Sequence, residues 1–109
     1  KRQLGDPWKG LQWHHIVEQS QIKSYRAGFA PEQIHKVGKV IALPSGKGSI
    51  HSEISKIYSS KYLFTGDKTV RDWLATQSFE EQFKFGIHQL EKFGTVTLDH
   101  GHWVFKPFN

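Results

Sequence analysis

The sequence predicts a single α+β domain, in which two strands lead into a helix, and further helices and a C-terminal β-hairpin pack behind them. Two apolar, strand-like runs lie at residues 11–17 and 39–43. Isoleucines then recur at helical spacing within residues 50–57. Near the end of the chain, residues 95–98 and 102–105 are two short β-type runs separated by a glycine-containing turn.

The two N-terminal strands are predicted by short patterns. Apolar and polar side chains alternate from Leu11 to His15, which is the period of a half-buried strand. Residues 40–43 are all aliphatic and end at Pro44, a residue that cannot donate to a sheet ladder. A strand is therefore expected at each position.

Helices are predicted by their start and stop signals. Pro31 lies in the first turn of a short helix. Ser49 and Ser78 precede helical repeats as caps, and Gly94 follows the last repeat. Ser78 and Glu81 also have the spacing of a capping box. The expected helices cover residues 30–36, 49–60, 69–74 and 78–93.

The composition limits the kinds of site that the chain can build. There is no cysteine, so disulfides, thiolate metal sites and cysteine nucleophiles are excluded. Any transition-metal site must therefore use imidazole, carboxylate or amide groups. No segment approaches the ~18 apolar residues of a membrane-spanning helix, and no membrane-spanning segment is expected.

Length and charge predict one basic domain. The 109 residues (1–109) are expected to form a single domain, and because they begin without methionine we expect them to be a piece of a larger protein. The formal net charge is +5. Residues 1–61 contain ten lysines and arginines against four acidic residues, whereas residues 62–109 contain five against six. A basic half of this kind attracts polyanions such as nucleic acid.

Three of the seven histidines are placed where their side chains can act together. His14 and His15 end the first strand, and His51 lies at the start of the helix that follows the second strand. An imidazole titrates near neutral pH, so it serves as a general base or as a metal ligand. The histidines interpreted as surface or turn residues are His35, His88, His100 and His102.

This order of strand, histidine pair, strand, proline and helical histidine resembles the HNH nucleases, whose core is the ββα-metal hairpin-helix. It resembles more closely their WHH/GHH-type variants, which are toxin domains at the C-termini of bacterial contact-dependent inhibition and other polymorphic toxins. The matching residues, which place the core motif at 11–60, are residues 13–17, residues 40–44, His51, Ile54 and Tyr58.

The resemblance implies a function and its partners. It implies a metal-dependent endonuclease that hydrolyses phosphodiester bonds, with DNA favoured and little sequence specificity. The domain would be secreted as part of a larger toxin and act in the cytoplasm of the target cell. It would also have a cognate immunity protein, which we expect to be acidic because the toxin is basic.

The resemblance also implies roles for individual side chains. His15 corresponds to the general base, and His14 and His51 correspond to metal ligands. Two imidazoles suit one divalent ion that keeps much of its water, with Mg²⁺ or Mn²⁺ favoured and Zn²⁺ or Ni²⁺ compatible. Glu18 follows the pair closely, where it either orients an imidazole, as carboxylates near metal sites do, or remains a solvated charge.

Two positions depart from the family pattern. The asparagine that orients the general base is replaced by Lys39, which cannot accept a hydrogen bond, and a further histidine ligand is replaced by Ser55. Lys39 is therefore expected either to contact phosphate or to weaken the site. Lys36 and Lys47 are candidates for the same phosphate contacts, with a solvated face as the alternative.

Two other functions are compatible with the sequence. A metal-independent RNase would use His14 and His15 as acid and base with a lysine on the phosphate, because RNA supplies its own 2′-hydroxyl nucleophile. A non-catalytic module would bind nucleic acid through its basic half, with the histidines holding structural zinc or nothing. Cleavage in EDTA identifies the first alternative, and retarded but intact plasmid identifies the second.

Overall fold

The computed structural model describes residues 11–44 and 49–108, which fold as an α+β domain with one mixed four-stranded sheet. In chain order the elements are β1 (Leu11–His15), α1 (Pro31–His35), β2 (Val40–Pro44), α2 (Ile50–Tyr58), α3 (Val70–Leu74), α4 (Phe79–Glu91), β3 (Gly94–Asp99) and β4 (His102–Pro107). The predicted α+β class is confirmed, and each predicted helix and strand is present. Among these described helices, none is long and apolar enough to cross a membrane.

The sheet has the strand order β1-β2-β4-β3, so the two hairpins lie side by side. β1 and β2 are antiparallel, and His15 lies opposite Val40. β2 runs parallel to β4, where Ile41 pairs with Trp103. The C-terminal hairpin is confirmed, but it extends the sheet instead of packing behind the first hairpin. β2 is therefore a central strand, which accounts for its continuous aliphatic run, because such strands are covered on both faces.

The C-terminal hairpin is fixed by its turn and by a tryptophan. His100 and Gly101 join β3 to β4 with positive φ angles of 52° and 81°, the combination that suits a two-residue hairpin turn. The indole Nε1 of Trp103 donates a hydrogen bond of 2.8 Å to the carbonyl oxygen of Gly38. This bond ties β4 to the segment that leads into β2.

Hydroxyl caps begin the three helices that follow β2. Ser49, Thr69 and Ser78 each accept a hydrogen bond from the backbone N–H three residues later, at 3.1–3.2 Å. The caps predicted at Ser49 and Ser78 are therefore confirmed. Gly94, predicted to stop α4, instead begins β3, and a Cβ there would lie only 2.7 Å from the ring of Phe105. The glycine is thus required by packing in the hairpin.

The hydrophobic core joins the sheet to α2, α3 and α4. Its buried members are Ile16, Ile41, Leu43, Ile54, Tyr58, Val70, Leu74 and Leu90. Ile16 is fully buried and directly follows His15. The backbone N–H of Ile16 also donates to the carbonyl oxygen of Lys39 at 3.0 Å. The core and this bond together hold the histidine-bearing end of β1 in place.

Gly86 of α4 is a point of close approach to the residue after the histidine pair. A Cβ at Gly86 would lie 2.9 Å from Ile16 Cγ2 and closer still to the Ile16 carbonyl oxygen. We therefore expect Gly86→Ala to destabilise the domain by about 1–3 kcal/mol, the usual cost of overpacking, although alanine favours helix. Urea unfolding followed by circular dichroism measures this change.

Lys84→Ala, at an exposed position of the same helix, is the control for Gly86→Ala. It should change the free energy of unfolding by less than about 0.5 kcal/mol. A Gly86→Ala protein that is as stable as the Lys84→Ala protein would contradict the close packing of α4 on Ile16.

Candidate functional site

The three histidines predicted to act together line a cleft beside the end of β1. Its walls come from β1, the turn after β1, the first half of α2 and one residue of α3, and its volume is about 450 Å³. This volume lies within the range of ligand-binding clefts. The described residues that line it are Gln12, Trp13, His14, His15, Glu18, Gln19, Ser20, His51, Ile54, Ser55 and Arg71.

His14 and His51 meet in this cleft, as the sequence predicts. The β1–β2 pairing and the packing of α2 on β2 bring the two rings edge to face, with centroids 5.4 Å apart. His14 is only 8% exposed, and this burial, together with the charges that His51 and His15 can carry, lowers the pKa of His14 to about 3. His14 is therefore a neutral imidazole at pH 7.

The buried Nε2 of His14 fits a divalent metal ion. His14 Nε2 is buried and has no hydrogen-bond partner within the described part of the chain, and a neutral imidazole nitrogen is a common metal ligand. His51 supplies a second imidazole beside it, and Ser55 lies one turn further along α2 in the same cleft.

The donor set is small. Residues 11–44 and 49–108 contain no group of three or more His, Cys, Asp or Glu side chains arranged to hold a metal. An ion held by His14 and His51 would therefore complete its coordination shell with water. Mg²⁺ and Mn²⁺ accept such a shell readily, whereas structural zinc sites use four protein ligands.

His15 contacts a different histidine from the one that His14 contacts. Successive residues of a strand point to opposite faces, and the ring of His15 packs edge to face on that of His35, with centroids 4.8 Å apart. His15 Nε2 lies 3.0 Å from His35 Nδ1, and Gln19 Nε2 lies 3.0 Å from His15 Nδ1. His35 is half-buried and belongs to this site, in contrast to the surface position that its sequence context predicts.

Glu18 lines the cleft and is paired with Arg71 of α3. Its two carboxylate oxygens accept hydrogen bonds from Arg71 Nε at 2.6 Å and from Nη2 at 2.8 Å, a two-point contact that fixes both groups. The hydrogen bonds that Arg71 donates to Glu18 raise the pKa of Arg71. The carboxylate is thus directed at Arg71, whereas the contacts that orient His15 come from Gln19 and His35.

The lysines predicted to contact phosphate lie elsewhere or outside the described residues. Lys39 Nζ lies 4.7 Å from the ring centroid of Phe83, so its charge is held against the aromatic side of α4. Lys36 is exposed and is not among the described residues that line the cleft. Lys47 lies outside the described residues. Of the lysines and arginines that the structure describes, Arg71 is the one that lines the cleft.

The sequence patterns did not indicate that His35 contacts His15 or that Arg71 lines the cleft. For His35 the signal was available in the strand pairing, since placing His15 opposite Val40 brings the chain before Val40 beside the end of β1. Arg71 lies far along the chain from Glu18, and no local pattern predicts their contact. His88, His100 and His102 are exposed, as predicted.

Replacing Glu18 with glutamine removes the charge that neutralises Arg71. Because the two side chains are only 19% and 25% exposed, we expect Glu18→Gln to lower the free energy of unfolding by about 1–3 kcal/mol. Glu53→Gln is the matched control, since Glu53 pairs with Lys56 at the exposed surface, where a pair contributes about 0–1 kcal/mol. Urea denaturation compares the two, and equal losses would contradict a stabilising role for the Glu18–Arg71 pair.

Comparisons with known proteins leave the geometry of the cleft as the basis for assigning a function. The chain matches no protein-family model. It also matches no curated protein and no solved structure.

Proposed function

We propose that this chain is a metal-dependent endonuclease that hydrolyses phosphodiester bonds, preferentially in DNA. The observation that carries the proposal is the His14–His51 pair, whose rings are 5.4 Å apart and whose buried Nε2 on His14 has no partner among the described residues. His15 lies beside this pair in the same cleft. An antiparallel hairpin followed by a helix carries all three groups, which is the arrangement expected of a ββα-metal core.

The metal-binding part of the proposal rests on two imidazoles. His14 and His51 would hold one divalent ion, Mg²⁺ or Mn²⁺ by preference and Zn²⁺ or Ni²⁺ as alternatives. When bound, such an ion supplies Lewis-acid stabilisation of charge on the scissile phosphate and on the departing 3′ oxygen. The lowered pKa of His14, about 3, favours this role, because a neutral imidazole remains free to bind metal throughout the physiological range.

His15 is the proposed general base. Its Nδ1 takes a proton from a water molecule as the water oxygen bonds to phosphorus. The P–O3′ bond breaks, and the departing 3′ oxygen takes a proton from solvent, which gives a 3′-hydroxyl and a 5′-phosphate. In the structure the side-chain amide of Gln19 hydrogen-bonds to His15 Nδ1. Because Gln19 is exposed, a water molecule can replace its side chain there. Arg71 is the cation that lines the described cleft, and Glu18 and Ser59 hold its guanidinium in a fixed orientation beside the place of a phosphate.

The proposal includes little sequence preference and a toxic role. Contacts to phosphate carry no base information, and the described cleft offers Arg71 for such a contact. We propose that the domain is delivered by a larger secreted toxin, acts in the target-cell cytoplasm and is neutralised by an acidic immunity protein. The excess of lysine and arginine in residues 1–61 supports the proposal that this partner is acidic.

A metal-independent RNase is disfavoured by the same cleft. Such an enzyme needs one imidazole protonated and one neutral near pH 7. The pKa of His14, lowered to about 3 by burial, leaves His14 unable to act as the acid. The His14–His15 pair therefore does not suit acid–base cleavage of RNA.

Cleavage of supercoiled plasmid with Mg²⁺, Mn²⁺, Zn²⁺ or EDTA tests the proposed function. We expect nicked and linear DNA with Mg²⁺ or Mn²⁺ and intact plasmid in EDTA. Cleavage that persists in EDTA would contradict the metal-dependent mechanism. Retarded but intact plasmid in every metal would instead indicate a binding module.

A further inference from the structure

His35 approaches His15 at hydrogen-bonding distance, although α1 and β1 are separate elements. The distance between His15 Nε2 and His35 Nδ1 is 3.0 Å, and the two rings are nearly perpendicular, at 87°. This distance lies within the range of a normal nitrogen-to-acceptor hydrogen bond. The contact uses one ring nitrogen of each histidine, so one of these two nitrogens donates and the other accepts.

The partners of His15 decide which nitrogen carries the proton. The side-chain amide nitrogen of Gln19 can only donate hydrogen bonds. It lies 3.0 Å from His15 Nδ1, so His15 Nδ1 must be the acceptor. The proton of neutral His15 then lies on Nε2 and is donated to His35 Nδ1. The lone pair of His15 that can accept a proton is therefore at Nδ1.

We propose that His35 is the positioning residue of this centre: it accepts the hydrogen bond from His15 Nε2 and holds the basic lone pair on Nδ1. This inference rests on the proposed nuclease function. It names the group that performs the task of the family's asparagine, whose matching position here is Lys39. Lys39 is committed to the aromatic ring of Phe83, and an ammonium group has no acceptor.

The support of His35 suits this role. His35 is the last residue of α1, and its neighbour Ile34 is fully buried. The segment after it is tied to β1, because the N–H of Ile16 donates to the carbonyl oxygen of Lys39 at 3.0 Å. Because the backbone of His35 is anchored on both sides, its side chain can hold the ring of His15 more firmly than a residue in a loop could.

The test compares two substitutions of His35 in the full chain. His35→Asn keeps an acceptor close to the place of Nδ1, whereas His35→Leu removes it. Nitrogen-15 NMR of the metal-free proteins reports which nitrogen of His15 is protonated, and plasmid cleavage in Mn²⁺ gives kcat and KM. We expect His35→Leu to mix the two tautomers of His15 and to lower kcat by about 10–100-fold with little change in KM. His35→Asn should keep the Nε2–H tautomer and most of kcat.

Each outcome decides the proposal. A wild-type spectrum with the His15 proton on Nδ1 overturns it without any variant, so the test stands even if His35→Leu fails to fold. A folded His35→Leu protein with an unchanged tautomer and unchanged kcat also overturns it. If the wild type does not cleave DNA with any of the metals, the nuclease proposal fails. The nitrogen-15 spectrum still decides whether His35 fixes the tautomer of His15.

Discussion

Replacing His15 with alanine is expected to lower the rate of plasmid cleavage by about 10²–10⁴-fold, the usual contribution of a general base. The imidazole is the group in the cleft whose Nδ1 lone pair can take a proton from the attacking water. Because this proton transfer occurs only on the way to the transition state, kcat should fall while KM changes little. The initial rate of nicking of supercoiled DNA in Mn²⁺ measures the effect.

The control for His15→Ala is His88→Ala. His88 is an exposed histidine of α4 that lies outside the cleft, and its replacement should leave the nicking rate within about twofold, as for a surface substitution. Circular dichroism must show that both variants are folded. Equal cleavage by the wild type and His15→Ala would remove His15 from the chemistry.

Acid is expected to destabilise the domain through His14. The pKa of His14 is about 3 in the folded protein, against an ordinary value of 6.5. Between these values the unfolded chain binds more protons than the folded one, so the free energy of unfolding rises with pH across this window. The stabilisation is complete above pH 6.5 and is lost as the pH falls toward 3, to a total of roughly 4–5 kcal/mol.

Urea unfolding between pH 7.5 and 4, in EDTA so that no metal competes with protons, measures this loss. His14→Leu should flatten the dependence on pH, because leucine does not titrate. His102→Leu is the matched control, since His102 is exposed at the start of β4, and its profile should follow that of the wild type. Parallel profiles for all three proteins would contradict the burial of a neutral His14.

Local patterns predicted the elements that local interactions determine. The structure contains the strand that ends at His15, the strand that ends at Pro44 and the helix caps at Ser49 and Ser78. Each of these was predicted from a pattern of only a few residues. His14 and His51 are distant in the chain, and it was the resemblance to the ββα-metal order of elements that predicted their contact.

Contacts between distant segments could not be predicted in this way. The parallel pairing of β4 with β2 joins Ile41 to Trp103, and no local pattern specifies which strand lies beside a buried one. Lys39 was expected at the cleft, but its side chain packs on Phe83 of α4. Glu18 was interpreted either as a partner for an imidazole or as a solvated charge, whereas its partner is Arg71 of α3. These positions depend on the tertiary packing of α3 and α4 against the sheet.

The central claim is that His14 and His51 hold one divalent ion on which cleavage depends. The most direct measurement is the Mn²⁺ concentration that gives half-maximal plasmid cleavage by the wild type, by His51→Ala and by the exposed control His102→Ala. We expect His51→Ala to need at least about tenfold more Mn²⁺, while His102→Ala follows the wild type. Identical activation curves for all three proteins would show that His51 does not hold the ion.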